Sequence, residues 1–202
     1  PVDVVAPLGT PFALPKDQVL VQTPVTAPVR FVDCTITGID GVKARGSGPV
    51  EFVDCRLSGP AAGAPVELGA SRVTIRGGSV RDVRLSATAV RDQLVALDGV
   101  ELSTERTDGA LLGRAAGAGV VTWRVSGVTS TVPTGTAHLD IGTGVNHARV
   151  TGSQFVGGRL RLADGFAEPS TLLYSDTVER GVETALPEAG PRVVIADVLT
   201  SA

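Results

Sequence analysis

Aromatic residues and methionine are scarce in this chain. Its 202 residues include five Phe, one Trp, one Tyr and no Met. The hydrophobic fraction of 43% is therefore made mainly of Val, Leu, Ile and Ala, interspersed with 25 Gly and 13 Pro. Such a composition favours β-strands joined by tight turns over packed helices.

Cysteine, histidine and net charge are also in short supply. The two cysteines, Cys34 and Cys55, are too few for a disulfide scaffold, and neither a CxxC motif nor clustered histidines accompany them, so we expect no metal and no cofactor. A net charge of -3 gives no general attraction to nucleic acid or to an anionic membrane. No apolar run approaches the roughly 20 residues of a membrane span, and the first residues lack a signal-peptide pattern.

A repeat runs through most of the chain. Residues 29–38 (VRFVDCTITG) match residues 50–59 (VEFVDCRLSG) at an offset of 21 residues. We name three positions of this template by Phe31 (first), Cys34 (second) and Ile36 (third). The first position then continues as Phe52, Ile75, Leu97, Trp123, Val150, Leu173 and Ile195. The second continues as Cys55, Gly78, Val100, Ser126, Ser153, Asp176 and Val198. The third continues as Leu57, Val80, Leu102, Val128, Phe155, Val178 and Thr200.

The spacing inside the template predicts a strand, a corner and a second strand. Residues two apart share a strand face, but two residues separate the first and second positions, so the chain must bend there. Asp33 and Asp54 precede the second position, where a sharp corner favours Asp or Gly. A third short alternating segment follows in most repeats, and we expect the stretches 103–109 and 129–136 to be loops extending from the coil.

These features predict an all-β fold, a single right-handed parallel β-helix of about eight rungs, each of roughly 20–27 residues. A β-sandwich is the main alternative. Residues 29–202 would form the β-helix domain. Residues 1–28, with six prolines in a mostly apolar segment, would form an N-terminal cap over the first rung or an arm that docks on a partner.

The rung pattern V-x-F-x-D-C-x-I-x-G resembles that of right-handed parallel β-helix proteins of the pectate-lyase-like superfamily, over about residues 29–200. The resemblance implies a fold and no single activity, because the superfamily contains polysaccharide lyases and hydrolases as well as bacteriophage tailspikes, fibres and other virion proteins. It implies a trimer in many viral members. No catalytic motif of the superfamily carries over to this chain residue by residue.

Several residue groups could carry chemistry, and each also has a structural interpretation. Cys34 and Cys55 occupy inward positions on adjacent rungs, which favours buried thiols, although a disulfide is sterically possible. Asp33 and Asp54 stack at the corner and could form an acid/base pair, but corner aspartates more often cap backbone amides.

The histidines and arginines also have both a chemical and a structural interpretation. His138, Asp140 and His147 could bind a metal or act as bases, but flanking glycines favour a surface turn. Five arginines within 20 residues could bind an anionic substrate, but the intervening Asp82 and Asp92 favour an ion-paired face. These arginines are Arg72, Arg76, Arg81, Arg84 and Arg91.

Support for sugar binding is weak, because glycan sites generally present exposed aromatic rings. Trp123 is expected to point inward and Tyr174 to follow an inward residue, and Phe166 is the clearest loop aromatic. An ice- or surface-binding solenoid would need a regular outward Thr ladder, which Thr35, Thr37, Thr74 and Thr122 do not form.

We therefore expect no catalytic residues and a non-enzymatic structural virion protein of a bacteriophage: a capsid decoration protein, a tail fibre or a receptor-binding component. The alternative is a carbohydrate-active β-helix enzyme, a lyase or glycoside hydrolase, or a surface adhesin that is secreted or held at the cell surface. The expected partners are further copies of the chain in a homotrimer, other virion proteins and a host surface glycan. Docking of the protein through residues 1–28 would fix it in the particle.

Overall fold

The computed structural model describes the chain except for residues 1, 6–11, 14–18, 24–27, 42, 47, 89–91, 116–118, 164, 165 and 167. Side chains are described from residue 28 onward, apart from those of these residues and of 43–46. All regular structure in this part of the chain is β-strand. No helix in it is long and apolar enough to cross a membrane.

The strands wind into one coil with three faces, and neighbouring strands within each face pair in parallel. The long face contains β1 (Val2–Val5), β4 (Val29–Val32), β7 (Pro49–Val53), β10 (Arg72–Arg76), β13 (Gln93–Asp98), β16 (Val121–Ser126), β19 (Asn146–Thr151), β22 (Thr171–Arg180) and β24 (Val193–Ser201). The short face contains β2 (Phe12–Ala13), β5 (Thr35–Thr37), β8 (Arg56–Ser58), β11 (Ser79–Arg81), β14 (Glu101–Ser103), β17 (Thr129–Thr131) and β20 (Gln154–Val156). The third face contains β3 (Val19–Thr23), β6 (Lys43–Gly46), β9 (Val66–Leu68), β12 (Leu85–Ala87), β15 (Ala110–Arg114), β18 (Ala137–Asp140), β21 (Arg159–Arg161) and β23 (Glu183–Ala185).

Two strands, β22 and β24, are long enough to continue from the long face into the short face. The fold is a single all-β parallel β-helix of about eight rungs, as the repeat predicts. The short segments expected to close the coil form the third face.

The core lies inside the coil, where inward side chains stack on those of the next rung. At the first position the row is Phe31, Phe52, Ile75, Leu97, Val125, Val150, Tyr174 and Ile195. The rings of Phe31 and Phe52 stack with centroids 5.0 Å apart. Parallel in-register stacking therefore turns a sequence repeat into continuous apolar rows.

Two rungs have a register different from the predicted one. Trp123 pairs with Val95 rather than Leu97, a shift of two residues that leaves its side chain inward and buried because the strand period is two. Leu173 pairs with Arg149, a shift of one residue that turns it outward. Tyr174 takes the inward position and is fully buried.

The same shifts change the second and third positions of these rungs. Val128 and Thr177 stand at the second position, where Ser126 and Asp176 were expected. Ser130 and Glu179 stand at the third position, where Val128 and Val178 were expected. The stretch 129–136 is consequently not all loop, because β17 begins at Thr129.

The corner between the long and short faces has the same backbone conformation in every described rung that carries it. Its residues all have φ between 52° and 63°, in the left-handed region that Asp, Asn and Gly accept most readily. They are Asp33, Asp54, Gly77, Gly99, Gly127, Gly152, Asp176 and Asp197. The N–H of one corner donates to the carbonyl just before the corner of the next rung, as from Asp54 to Arg76 over 2.8 Å.

The described strands of the N-terminal segment belong to the same coil. β1, β2 and β3 pair in parallel with β4, β5 and β6, so the backbone of this segment contributes to all three faces. The division at residue 28 into a cap or arm and a β-helix domain stays a prediction.

Candidate functional site

The cysteines are buried free thiols, as the structural interpretation predicts. The Cys55 sulfur lies 3.4 Å from the carbonyl oxygens of both Phe31 and Val53, and its one S–H proton is shared between them. Burial raises the pKa of Cys55 to about 11, so the thiol stays protonated at neutral pH and is a poor nucleophile.

The corner aspartates are explained by their backbone. Asp33 and Asp54 are exposed and have φ of 53° and 52°. Asp54 leans over the next corner, since a Cβ on Gly77 would lie 2.0 Å from its Oδ1 atom. The two aspartates therefore serve the conformation of the corner. Glycine follows at position 77 because the Asp54 carboxylate occupies the space that a Cβ on residue 77 would need.

His138 is buried, which corrects the expectation of a surface turn. Its Nε2 lies 2.8 Å from the carbonyl oxygen of Gly157 and must donate, so Nδ1 accepts from the Ser130 hydroxyl at 2.7 Å. The Phe155 ring lies 5.1 Å away. Burial lowers the pKa of His138 to about 4, although the hydrogen bond with Gly157 opposes this shift, and the imidazole is neutral at pH 7.

A serine that donates to a histidine has the arrangement of an activated nucleophile. Here the exposed fractions are 0% for Ser130 and 1% for His138, so solvent and substrate reach neither. The pair satisfies two polar groups inside the coil, linking the short face to the third face.

Asp140 and His147 lie apart from that pair and have local partners. Asp140 accepts from the N–H of Gly142 at 3.0 Å and pairs with Arg161 at 3.3 Å. The Nδ1 atom of His147 lies 2.9 Å from the hydroxyl of Thr171 on the long face. The three residues do not converge on one site, and the described chain contains no group of three metal-ligating side chains.

A second buried polar cluster was not anticipated from the sequence. The hydroxyl of Tyr174 donates to one oxygen of Glu179, and that of Thr184 donates to the other at 2.7 Å. Burial is the main cause that raises the pKa of Tyr174 well above its usual value, and the adjacent Glu179 adds to it. The three side chains come from three faces of one rung, so no local spacing in the sequence predicts the cluster.

Two arginines of the group between Arg72 and Arg91 form the expected ion-paired face. Arg76 lies 3.7 Å from Glu51 and 3.9 Å from Asp98. Arg81 lies 3.5 Å from Asp82 and 2.9 Å from Glu105.

The other three arginines of this group differ. Arg84 donates to the carbonyl oxygen of Gly63 at 3.1 Å, Arg72 is exposed, and Arg91 is outside the described residues.

The aromatic residues belong to the core and its edge. The Trp123 indole N–H donates to the amide oxygen of buried Asn146 at 3.1 Å. Tyr174 is buried, and Phe166 is partly buried and packed against the core rather than standing in an open loop. No described aromatic ring forms an exposed stacking platform.

The C-terminal rung is the surface best suited to a partner. Among the described residues, the exposed large apolar side chains all lie on β24: Val194, Ile195 and Leu199, which are 51%, 37% and 70% exposed. Ile195 continues a row in which Val150 and Tyr174 are fully buried. We define these three residues as the C-terminal patch.

Within the described structure β24 pairs with one strand only, β22, and its first residue also bridges to Gly190, whereas the long-face strands from β4 to β22 each have a strand on both sides. Its unpaired N–H and C=O groups can pair with another strand. A strand with apolar side chains on both of its faces is typical of a sheet that is buried on both faces. The patch therefore combines apolar area with free hydrogen-bonding groups.

Comparison with known proteins identified no relative of this chain. No protein-family model, no curated protein and no solved structure matches this chain.

Proposed function

We propose that this chain is a non-enzymatic structural component of a bacteriophage virion: a decoration, tail-fibre or receptor-binding protein. We further propose that it acts as a homotrimer joined through the C-terminal patch. The patch is the observation that carries the assembly part of the proposal. The rung pattern, which resembles that of viral β-helix proteins, is the only support for the virion part.

The occupant of the patch is another copy of the chain. Large exposed apolar side chains in the described structure are confined to β24, so β24 of a second copy is the surface of this protein that matches it. Closed rotational symmetry is the usual outcome when copies of one chain share such a surface. Three copies around one axis would bury Val194 and Leu199, and the trimer is the number implied by the viral resemblance.

A structural role also agrees with how the reactive side chains are used. Ser130 and His138 are buried and hydrogen-bonded to each other, and the buried Glu179 accepts from Tyr174 and Thr184. These residues stabilise the interior of the coil. The proposed function therefore relies on the C-terminal patch as a surface that contacts other copies of the chain.

Sedimentation of the full-length protein tests the assembly. Wild type should sediment at three times the monomer mass of 20.6 kDa. The variant Val194→Lys/Leu199→Lys should sediment as a monomer, because two desolvated charges in each copy oppose association. Leu94→Lys, on a half-exposed outward position of β13, is the matched control and should remain trimeric.

A wild-type monomer at high concentration would overturn the trimer. The virion assignment has a separate readout, mass spectrometry of purified phage particles from the source of the gene. Detection of the chain in stoichiometric amount supports it, and its absence from particles while it is present in the host secretion or cell envelope supports the secreted or surface-bound alternative.

A further inference from the structure

Two arginines on adjacent strands of the long face are paired in register. Arg124 of β16 and Arg149 of β19 are partner residues, and both are exposed on the outer side of the coil. Neighbouring strands lie about 4.8 Å apart, so the two guanidinium groups emerge side by side. Like charges at paired positions destabilise a sheet.

The row that contains these arginines supplies no acid to balance them. Arg124 is partnered on its other side by Ala96, and Arg149 by Leu173. Within the described chain, neither guanidinium has a carboxylate at ion-pair distance. No carboxylate of the described chain therefore offsets the repulsion between these two guanidinium groups.

Elsewhere on the same face, cations alternate with acids. Arg30 lies 3.1 Å from Glu51, and Arg76 lies between Glu51 and Asp98. The pattern of charge neutralisation across strands thus holds at the start of the coil and is broken at Arg124 and Arg149.

The surface is concave where the pattern breaks. Arg124 and Arg149 line a depression of about 380 Å³ together with Val125, Ser126 and Thr151. Ser126 and Thr151 are themselves register partners, two residues further along the same strands. These four residues therefore occupy the corners of a rectangle on two strands, about 4.8 Å across the strands and about 6.6 Å along them.

We propose that these four residues bind a tetrahedral oxyanion, the phosphate or sulfate group of a ligand. Two arginines match the two negative charges of a phosphate monoester or of inorganic sulfate, and a sulfate ester brings one charge spread over three terminal oxygens. Each guanidinium can donate two parallel hydrogen bonds to oxyanion oxygens. The hydroxyls of Ser126 and Thr151 supply further donors to the remaining oxygens. A carboxylate, with one charge and two oxygens, would leave half of these groups unused. The site does not depend on the proposed trimer.

Calorimetric titration of the full-length protein tests the site with inorganic phosphate, inorganic sulfate and acetate as probes, at constant ionic strength. We expect saturable binding of phosphate or sulfate and at least tenfold weaker binding of acetate. Arg124→Gln and Arg149→Gln should each weaken dianion binding at least tenfold. Arg72→Gln, which removes another exposed arginine of the long face, is the matched control and should bind as wild type does.

A parallel arm distinguishes the source of the anionic group. A sulfated oligosaccharide that competes with inorganic sulfate and binds more tightly identifies a sulfated glycan as the ligand. Tighter binding of a phosphate monoester identifies a phosphorylated one. Absence of saturable binding by both inorganic dianions, or equal loss on Arg72→Gln, overturns the proposal.

Discussion

The two halves of the coil fill their interior with side chains of different polarity. In the apolar half, residues 29–102, the three inward positions carry apolar residues, two thiols and one glycine. The buried polar side chain described in this half is that of Gln93, which donates to the carbonyl oxygens of Leu68 and Ala70. In the polar half, residues 121–185, the interior includes the buried side chains of Ser130, His138, Asn146, Tyr174 and Glu179. Backbone pairing is the same in both halves.

The difference shows what a β-helix requires of an inward residue. A polar side chain is accepted when a partner from another face reaches it, as His138 reaches Ser130 and as Tyr174 and Thr184 reach Glu179. Unpaired burial costs about 1–3 kcal/mol per group. The apolar half should therefore tolerate no inward charge, whereas the polar half should depend on its pairs.

The largest effect is expected from a charge in the apolar half. Leu97→Asp places an unpaired carboxylate in a row of buried apolar side chains and should lower the free energy of unfolding by about 3–5 kcal/mol. Leu94→Asp, on the outward side of the same strand, should change it by less than about 0.5 kcal/mol. Urea denaturation measures both, and equal midpoints would show that the assigned register is wrong.

Between pH 7.5 and pH 4, a pH dependence is expected of the polar half through His138. The pKa of His138 is lowered to about 4 in the folded protein, from 6.5. Between these values the unfolded chain binds a proton that the folded protein does not, so the contribution is complete above pH 6.5 and is lost as the pH falls toward 4. The loss over that interval should be roughly 3 kcal/mol.

Urea denaturation from pH 7.5 to pH 4 measures this dependence. Its part due to the histidine should disappear in His138→Gln and persist in His147→Asn, whose imidazole is outside the coil. An identical slope for wild type and His138→Gln would place the proton uptake elsewhere.

A smaller effect is expected from breaking the second polar cluster. Glu179→Leu leaves the buried hydroxyl of Tyr174 and the partly buried hydroxyl of Thr184 without their acceptor and should cost about 2 kcal/mol. In the double variant with Tyr174→Phe, one orphaned hydroxyl is removed, so the two changes should cost less than their sum. Glu183→Leu, an exposed control in the same rung, should cost less than about 1 kcal/mol. Strict additivity of the first two changes would exclude the pairing.

Sequence reasoning was most successful where the inward residues are apolar. From Phe31 to Leu102 the template identifies the inward positions and the corner, because period-two alternation and the Asp or Gly corner agree. The template was wrong at the third position of two rungs, where it predicted the apolar residues Val128 and Val178. The structure has Ser130 and Glu179 there. Partners that meet across faces leave no fixed spacing in the sequence.

The surface features were hidden for related reasons. The apolar pattern of β24 is that of a core strand, and nothing in the pattern shows that Ile195 is exposed. The Arg124–Arg149 pair depends on the register between β16 and β19, which the template misassigned at Trp123. The fold could therefore be predicted from the sequence, whereas the candidate sites depend on side-chain exposure and on strand register that the sequence pattern does not reveal.

The recurring left-handed corner allows the coil to be lengthened or shortened by whole rungs. Successive corners lie 21, 23, 22, 28, 25, 24 and 21 residues apart, yet the φ of each falls between 52° and 63°. Because variation in length is absorbed between corners, a stretch from one corner to the next, such as Gly77 to Gly99, begins and ends in the same backbone state. Gaining or losing one such stretch would change the length of the rod by about 4.8 Å and rejoin two matching ends. Evolution could thus adjust the reach of this protein by duplication or deletion, with new contacts needed only at the seam.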